Sequence, residues 1–317
     1  MSAGTDRSAA TDVPADELTV VPIRHPLRWV AVAAIAVLVA MFVHSLVSNP
    51  AWQWDYVRGY LNESTILKGI WVTIQLTVLA MLIGVVLGIV LAVMRMSPNP
   101  VLSSTAWVYT WFFRGTPVLV QILFWFALGV LYRHIGVGVP FGPTFHSWDA
   151  NSLITPFSAA VLGLGLNEAA YMSEIARAGL ISVGTGQAEA AAALGMGRGL
   201  AMRRIILPQA MRVIIPPTGN ETISMLKTTS LVIVIGLNDL TGAAQSIYNQ
   251  STFLVVPLLV TASIWYIFMT SVLYVGQYFL EKRYGRGTNR NVAARPGQRL
   301  LMTVMRRDES GAGALGG

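Results

Sequence analysis

The chain has 317 residues, of which 54% are hydrophobic and 12% charged. A soluble domain carries roughly twice that charge fraction, so an ordinary soluble fold is excluded and a bilayer is the natural solvent. The net charge of +7 does not point to nucleic acid, because the basic residues sit in loops and in the C-terminal tail, and the lack of cysteine excludes disulfide frameworks and thiolate metal sites.

Residues 1–22 are polar and small, with Asp6, Asp12, Asp16 and Glu17, and read as a disordered tail. Trp29–Ser48 follows Arg24 and Arg28. A signal peptide is the alternative, but the run is long enough to span and no small-residue cleavage site follows, so it reads as a first transmembrane helix. Residues 49–66 hold Trp52, Trp54, Tyr56 and Tyr60, the density of an interfacial belt. Gly69–Met94 is a second span without charge, closed by Arg95 and the turn Ser97-Pro98-Asn99-Pro100. Ser104–Tyr132 is a third, interrupted by Arg114 and Pro117. After a Gly-, Pro- and His-rich loop, Pro156–Gly179 is a fourth, carrying Glu168 and Glu174.

Residues 185–208 form the loop that follows. Ala190 to Leu194 is a strong helix former, Gly195 and Gly197 supply a stop, and Leu200–Ile206 reads as a second short helix ended by Pro208. Val213–Asn238 is a fifth span, broken or kinked at Pro216-Pro217 and carrying Glu221 and Lys227. Leu240–Leu280 is free of charge and reads as a re-entrant piece followed by a sixth span, Leu254–Leu280. Residues 281–317 form a basic tail, also expected to be disordered.

The fold class expected is therefore all-α, a polytopic membrane protein of about six transmembrane helices. Lys and Arg crowd both tails and the 185–208 loop, against Arg58, Lys68 and Arg133 in the opposite loops. That bias places both termini and the 185–208 loop in the cytoplasm.

The chain has no P-loop, no nucleophile elbow and no metalloprotease helix, and His25, His44, His134 and His146 do not pair at ligand spacing. No enzyme and no metal site is expected. Chemistry rests on polar groups within spans, each costing at least about 2.5 kcal/mol at the bilayer centre. Glu168, Tyr171 and Glu174 recur at helical spacing. Glu174 and Arg177 read as an interfacial pair, whereas Glu168 suits a pathway role. Asn220, Glu221, Thr222 and Ser224 follow the double proline, where freed backbone needs a protein or wet neighbour. Glu221 and Lys227 form either an ion pair or part of a pathway.

These pieces resemble a known family. Glu189-Ala190-Ala191, with Gly195 six residues after Glu189 and Ile205-x-Leu207-Pro208 beyond, is similar to the EAA loop of ABC-importer permeases of type I. Phe113-Arg114-Gly115-Thr116-Pro117, followed by Gln121, resembles a segment of the polar amino-acid branch that serves histidine, glutamine and glutamate. Ala170–Arg177 and Leu226–Leu231 are similar to two further blocks, so the resemblance covers about 67–280. Thr228 stands where that branch often has Asp after the lysine, and Asn167 and Glu168 stand where it often has small residues.

The resemblance implies a permease domain over 67–280, with 23–66 an added N-terminal helix and external linker. It would lie in a bacterial plasma membrane. A second permease subunit, identical or paralogous, would pair with it around a central pathway. Glu189, Ala190, Ala191, Gly195, Ile205, Leu207 and Pro208 would dock on a cytoplasmic ABC ATPase subunit, which alone would bind ATP-Mg, so this chain would hold no cofactor. An extracytoplasmic amino-acid-binding protein would deliver substrate. The pathway candidates are Thr116, Gln121, Asn167, Glu168, Tyr171, Asn220, Glu221 and Lys227, and the carboxylates favour a cationic amino acid. Membrane lipid would surround the whole. The competing readings are an ion-coupled secondary transporter, which would show repeated halves, and a scaffold, which would lack polar groups at membrane depth.

Overall fold

The computed structural model describes residues 26–139, 142–250 and 252–284. The expectations for residues 1–22 and for the tail beyond 284 lie outside the described residues. The chain divides into two units, Met1–Trp52 and Gln53–Gly317.

The first unit holds α1 (Pro26–Ser48) and a 3-10 turn at Pro50–Trp52. The 22 residues from Leu27 to Ser48 are long and apolar enough on average to cross a bilayer. No face of α1 is polar, the pattern of a helix immersed in apolar surroundings.

The second unit runs α2 (Trp54–Leu61), α3 (Ser64–Arg95), α4 (Pro100–Gly115), α5 (Val118–Leu131), a hairpin of β1 (His134–Gly138) and β2 (Thr144–Asp149), α6 (Ala150–Leu153), and α7 (Pro156–Ile181). It continues with α8 (Thr185–Ala193), α9 (Arg198–Ala201), a π turn (Met202–Ile206), α10 (Leu207–Thr228), a 3-10 turn (Thr229–Ile235), α11 (Leu240–Tyr248) and α12 (Val255–Tyr284). The antiparallel hairpin, which pairs Ile135 with Trp148 and Val137 with His146, occupies the stretch read as a loop.

Among the described residues, α1, α3 and α12 are long and apolar enough to span, and two bent pairs bring the number to five. α4 and α5 meet at 105°, and the segment Arg198–Ile235 meets α11 at 43°. α7 has the length for a further crossing, 26 residues or about 39 Å at 1.5 Å per residue, but it is not among the helices apolar enough to span by composition. Glu168, Glu174 and Arg177 keep it less apolar than α1 and α3.

α7 is the central post. α3 packs along most of its length, with α4, α5 and α10 on its other sides. Small residues make this possible: Ala159, Ala160, Ala169, Ala170 and Ala176 are buried on α7, while Gly84 and Gly88 of α3 lie against Glu168 and Met172. Association within a bilayer relies on such close backbone approach, because lipid offers no hydrophobic drive between helices.

Two breaks read from prolines are placed differently in the structure. α10 runs through Pro216 and Pro217 without interruption, with Gln277 of α12 donating from Nε2 to the Pro216 carbonyl at 3.3 Å. Pro208 does not end a helix; it sits in the first turn of α10, directly after the π turn Met202–Ile206, a local widening of the helix that accommodates it. The true break comes later, at the 3-10 turn and Gly236, whose φ of 73° lies in the left-handed region.

Candidate functional site

A polar cleft of about 600 Å³ opens where the α4–α5 bend, α7 and α10 converge. Arg114 and Thr116 come from the bend, Asn167, Glu168 and Tyr171 from α7, and Glu221, Ser224 and Thr228 from α10. The last two sets recur at three- and four-residue intervals, so each helix offers one polar face.

Hydrogen bonds lock the bend. Thr116 and Pro117 leave α4 in extended conformation, which strips carbonyls of helical partners. Gln121 Nε2 lies within donating distance of Phe113 O (2.9 Å), Thr116 O (3.1 Å) and Thr116 Oγ1 (2.7 Å). Asn167 Nδ2 donates to Phe113 O at 2.8 Å and to Gln121 Oε1 at 3.3 Å, tying the bend to α7. Arg114 is thereby fixed over the Tyr171 ring, its Cζ 5.3 Å from the centroid, a cation–π arrangement.

Glu168 is 3% exposed, and its Oε1 has no protein partner. Glu221 lies within the electrostatic reach of Glu168 and of Arg114. The cleft thus offers a guanidinium suited to an anionic group and two carboxylates suited to a cationic one.

Five of the eight pathway candidates meet here: Thr116, Asn167, Glu168, Tyr171 and Glu221. Gln121 is buried in the wall behind them. Asn220 faces α12, where its Oδ1 accepts from Gln277 at 3.0 Å. Lys227 is exposed on α10, outside the cleft lining, and does not form the expected ion pair with Glu221; a separation of six residues puts them on different faces. Among the described residues the pair within 4 Å is Glu174–Arg177 at 2.6 Å, as the i, i+3 spacing suggests.

Two residues outside the candidate set matter. Arg114 was legible as the lone charge in its span. Asp239, fully buried, caps α11: its Oδ1 accepts from the Gly242 N–H at 2.8 Å, and Tyr266 donates to Oδ2 at 3.0 Å. An Asp opening an otherwise uncharged helix is a recognisable cap signal.

The 185–208 loop joins the far ends of α7 and α10. α8 ends in a Schellman motif, with Gly195 N–H bonded to Ala192 O (2.9 Å), Met196 N–H to Ala191 O (3.0 Å), and Gly195 at φ 70°. Ala191 is buried on the body of the unit, and Gln209 Nε2 donates to Gln187 Oε1 at 3.2 Å, which holds α8 on α10. Glu189, Ala190 and Gly195 are exposed, and Leu194 is 78% exposed at the tip. Ile205 is half-buried, while Leu207 and Pro208 are exposed in the return. The second short helix differs from expectation: α9 and the π turn continue directly into α10.

Comparison with known proteins adds four findings. A family profile for binding-protein-dependent transport system inner membrane components matches residues 84–286. The arginine transport system permease protein ArgU of Corynebacterium glutamicum is 52% identical over 276 residues, which is 86% of this chain and 85% of that one. The nopaline transport system permease protein NocM of Agrobacterium fabrum is 36% identical over 208 residues, 66% of this chain and 83% of that one. A solved amino acid ABC transporter with histidines aligns at a TM-score of 0.56 with 36% identity, covering 69% of this chain and 94% of that one.

Proposed function

The chain belongs to the family of binding-protein-dependent transport system inner membrane components, and from that premise we propose that it is the permease subunit of an ABC importer for polar amino acids, with the Arg114–Glu168–Glu221 cleft as its substrate site. Membership makes it a membrane permease of an ABC transporter, a non-catalytic component that works with an ATPase and a binding protein. The ion-coupled and scaffold readings gain nothing from the comparisons.

The observation that carries the proposal is the cleft's charge layout at membrane depth. Arg114 takes the substrate α-carboxylate, and Glu168 and Glu221 take cationic groups. Two carboxylates beside one guanidinium leave room for a second positive charge, so the substrate is a cationic amino acid such as arginine or lysine. The names of the arginine and nopaline permeases support this direction.

Both helices that line the cleft lead to the exposed loop. From Glu168 to Ile181 and from Leu207 to Glu221 the path is about 20 Å at 1.5 Å per residue. Glu189, Ala190, Gly195, Ile205, Leu207 and Pro208 form the coupling surface for a separate cytoplasmic ATPase, which binds and hydrolyses ATP-Mg, while Ala191 is buried beneath that surface and seats α8. Closure of that ATPase moves α7 and α10 as levers and changes access to the cleft. Lys and Arg bias supports a bacterial inner membrane location with both termini cytoplasmic. A second permease subunit pairs with this one, covering exposed Lys227, whose charge is costly against lipid.

The test is reconstitution in proteoliposomes with the ATPase and binding protein. ATP-dependent uptake of labelled arginine, competed by lysine, is expected. Uptake that proceeds without the ATPase on an ion gradient alone sinks the reading.

A further inference from the structure

On the side of α10 away from the cleft, a lateral groove is walled by α3 and α12. α10 packs on both of these helices, and the gap between them is an apolar cleft of about 670 Å³ that continues into a second of about 400 Å³. The two share Val85, Thr218 and Thr222. Along α3 the lining runs from Ile74 to Val93, about 29 Å at 1.5 Å per residue, close to the hydrocarbon thickness of a bilayer.

The groove shows almost no hydrogen-bonding capacity. Its threonines turn their hydroxyls to their own helices: Thr77 Oγ1 donates to Thr73 O, Thr218 Oγ1 to Ile214 O, and Thr222 Oγ1 to Thr218 O, each at 2.8 to 2.9 Å. Apart from Gln277 and Tyr284 at one end, what remains in the groove is apolar surface. One end is different. There α3 ends in Arg95 and α12 in Lys282, Arg283 and Tyr284, and Tyr284 lines the groove itself. The acid in that turn, Glu281, accepts a hydrogen bond from Gln277 at 2.8 Å, which draws it towards α10.

We propose that this groove is a binding site for an anionic phospholipid. The acyl chains lie along Val85, Thr218 and Thr222, and the phosphate rests among Arg95, Lys282 and Arg283. An apolar slot of bilayer length, with Arg95, Lys282 and Arg283 in the helix ends just beyond its lining, fits an amphiphile with a negative head. A partner helix would need no such charges. Basic residues between membrane helices at the cytoplasmic surface favour anionic head groups in this way, and Tyr284 supplies an interfacial anchor.

The experiment uses the intact permease–ATPase complex in detergent, mixed with phosphatidylglycerol or phosphatidylcholine of identical chains and read by native mass spectrometry. Phosphatidylglycerol should be retained roughly tenfold better. Replacing Arg95, Lys282 and Arg283 together by Gln should remove that preference, and Thr222→Trp should remove retention of both lipids. A phosphatidylglycerol carrying a photoreactive acyl chain should label peptides containing Val85 or Thr218 in the unmutated complex. Equal retention of the two lipids, or labelling confined to other peptides, overturns the proposal.

Discussion

Gly84 of α3 lies directly against Glu168 of α7: a methyl group on Gly84 would sit 2.5 Å from Glu168 Cγ and 2.9 Å from its Cβ. The glycine therefore sets how Glu168 stands in the cleft. Gly84→Ala should displace the carboxylate and cost about 1–3 kcal/mol of stability through overpacking. Gly88→Ala meets Met172 at a similar 2.6 Å and serves as the packing control. Both variants should lower the melting temperature, but only Gly84→Ala should raise the KM for a cationic substrate. Equal KM values for the two contradict a positioning role.

Gln121 closes the carbonyls of the α4–α5 bend. Gln121→Ala leaves the part-buried Thr116 carbonyl without that donor, a loss of about 0.5–1.5 kcal/mol for one hydrogen bond. Arg114 then loses its fixed place over Tyr171. Arginine uptake by the variant should fall through KM before maximal rate, and thermal stability should drop in parallel. Gln121→Glu, which lacks the amide donor, should behave the same way.

Gly195 has open space around it, so its left-handed φ alone accounts for the glycine. Gly195→Ala should cost about 1–2 kcal/mol locally and loosen the end of α8. Co-purification of the ATPase should weaken while membrane insertion of the permease is unchanged. Glu189→Ala should reduce coupling of ATP hydrolysis to uptake by the same logic. Unaltered uptake in both variants contradicts the assignment of this loop.

Asp239 joins α11 to the Thr73 region and to Tyr266 by a buried network, with Leu240 N–H donating to Thr73 Oγ1 at 3.0 Å. Asp239→Ala removes the cap and should cost about 0.5–2 kcal/mol for that bond alone. Asp239→Asn keeps an acceptor and should be milder. Melting temperatures of the two variants in detergent check the order.

The spans were legible because long apolar runs and charge bias are strong signals, and α3 and α12 match them closely. The loop around Gly195 was legible because a helix stop needs glycine for a local reason. The fate of Pro216-Pro217 was not: α10 runs through both, packed on α7 and α12, and that tertiary packing is not visible in the local sequence. Gln121 and Asn220 likewise look like pathway residues by type, but their neighbours turn one into a backbone clamp and the other towards α12. Lys227 failed as a partner for Glu221 because six residues do not return to the same helical face.

The most direct test of the substrate cleft is Glu168→Gln in the reconstituted transporter, with arginine and glutamine uptake measured side by side. Glu168 lines the cleft and is buried, and its Oε1 has no hydrogen-bond partner in the structure, so a cationic substrate group that reached it would satisfy it. The account predicts that the arginine-to-glutamine uptake ratio falls by about tenfold or more, the equivalent of one lost charge-assisted contact of about 1.5–3 kcal/mol, while the complex stays assembled. An unchanged ratio in an assembled, ATP-hydrolysing complex would contradict it.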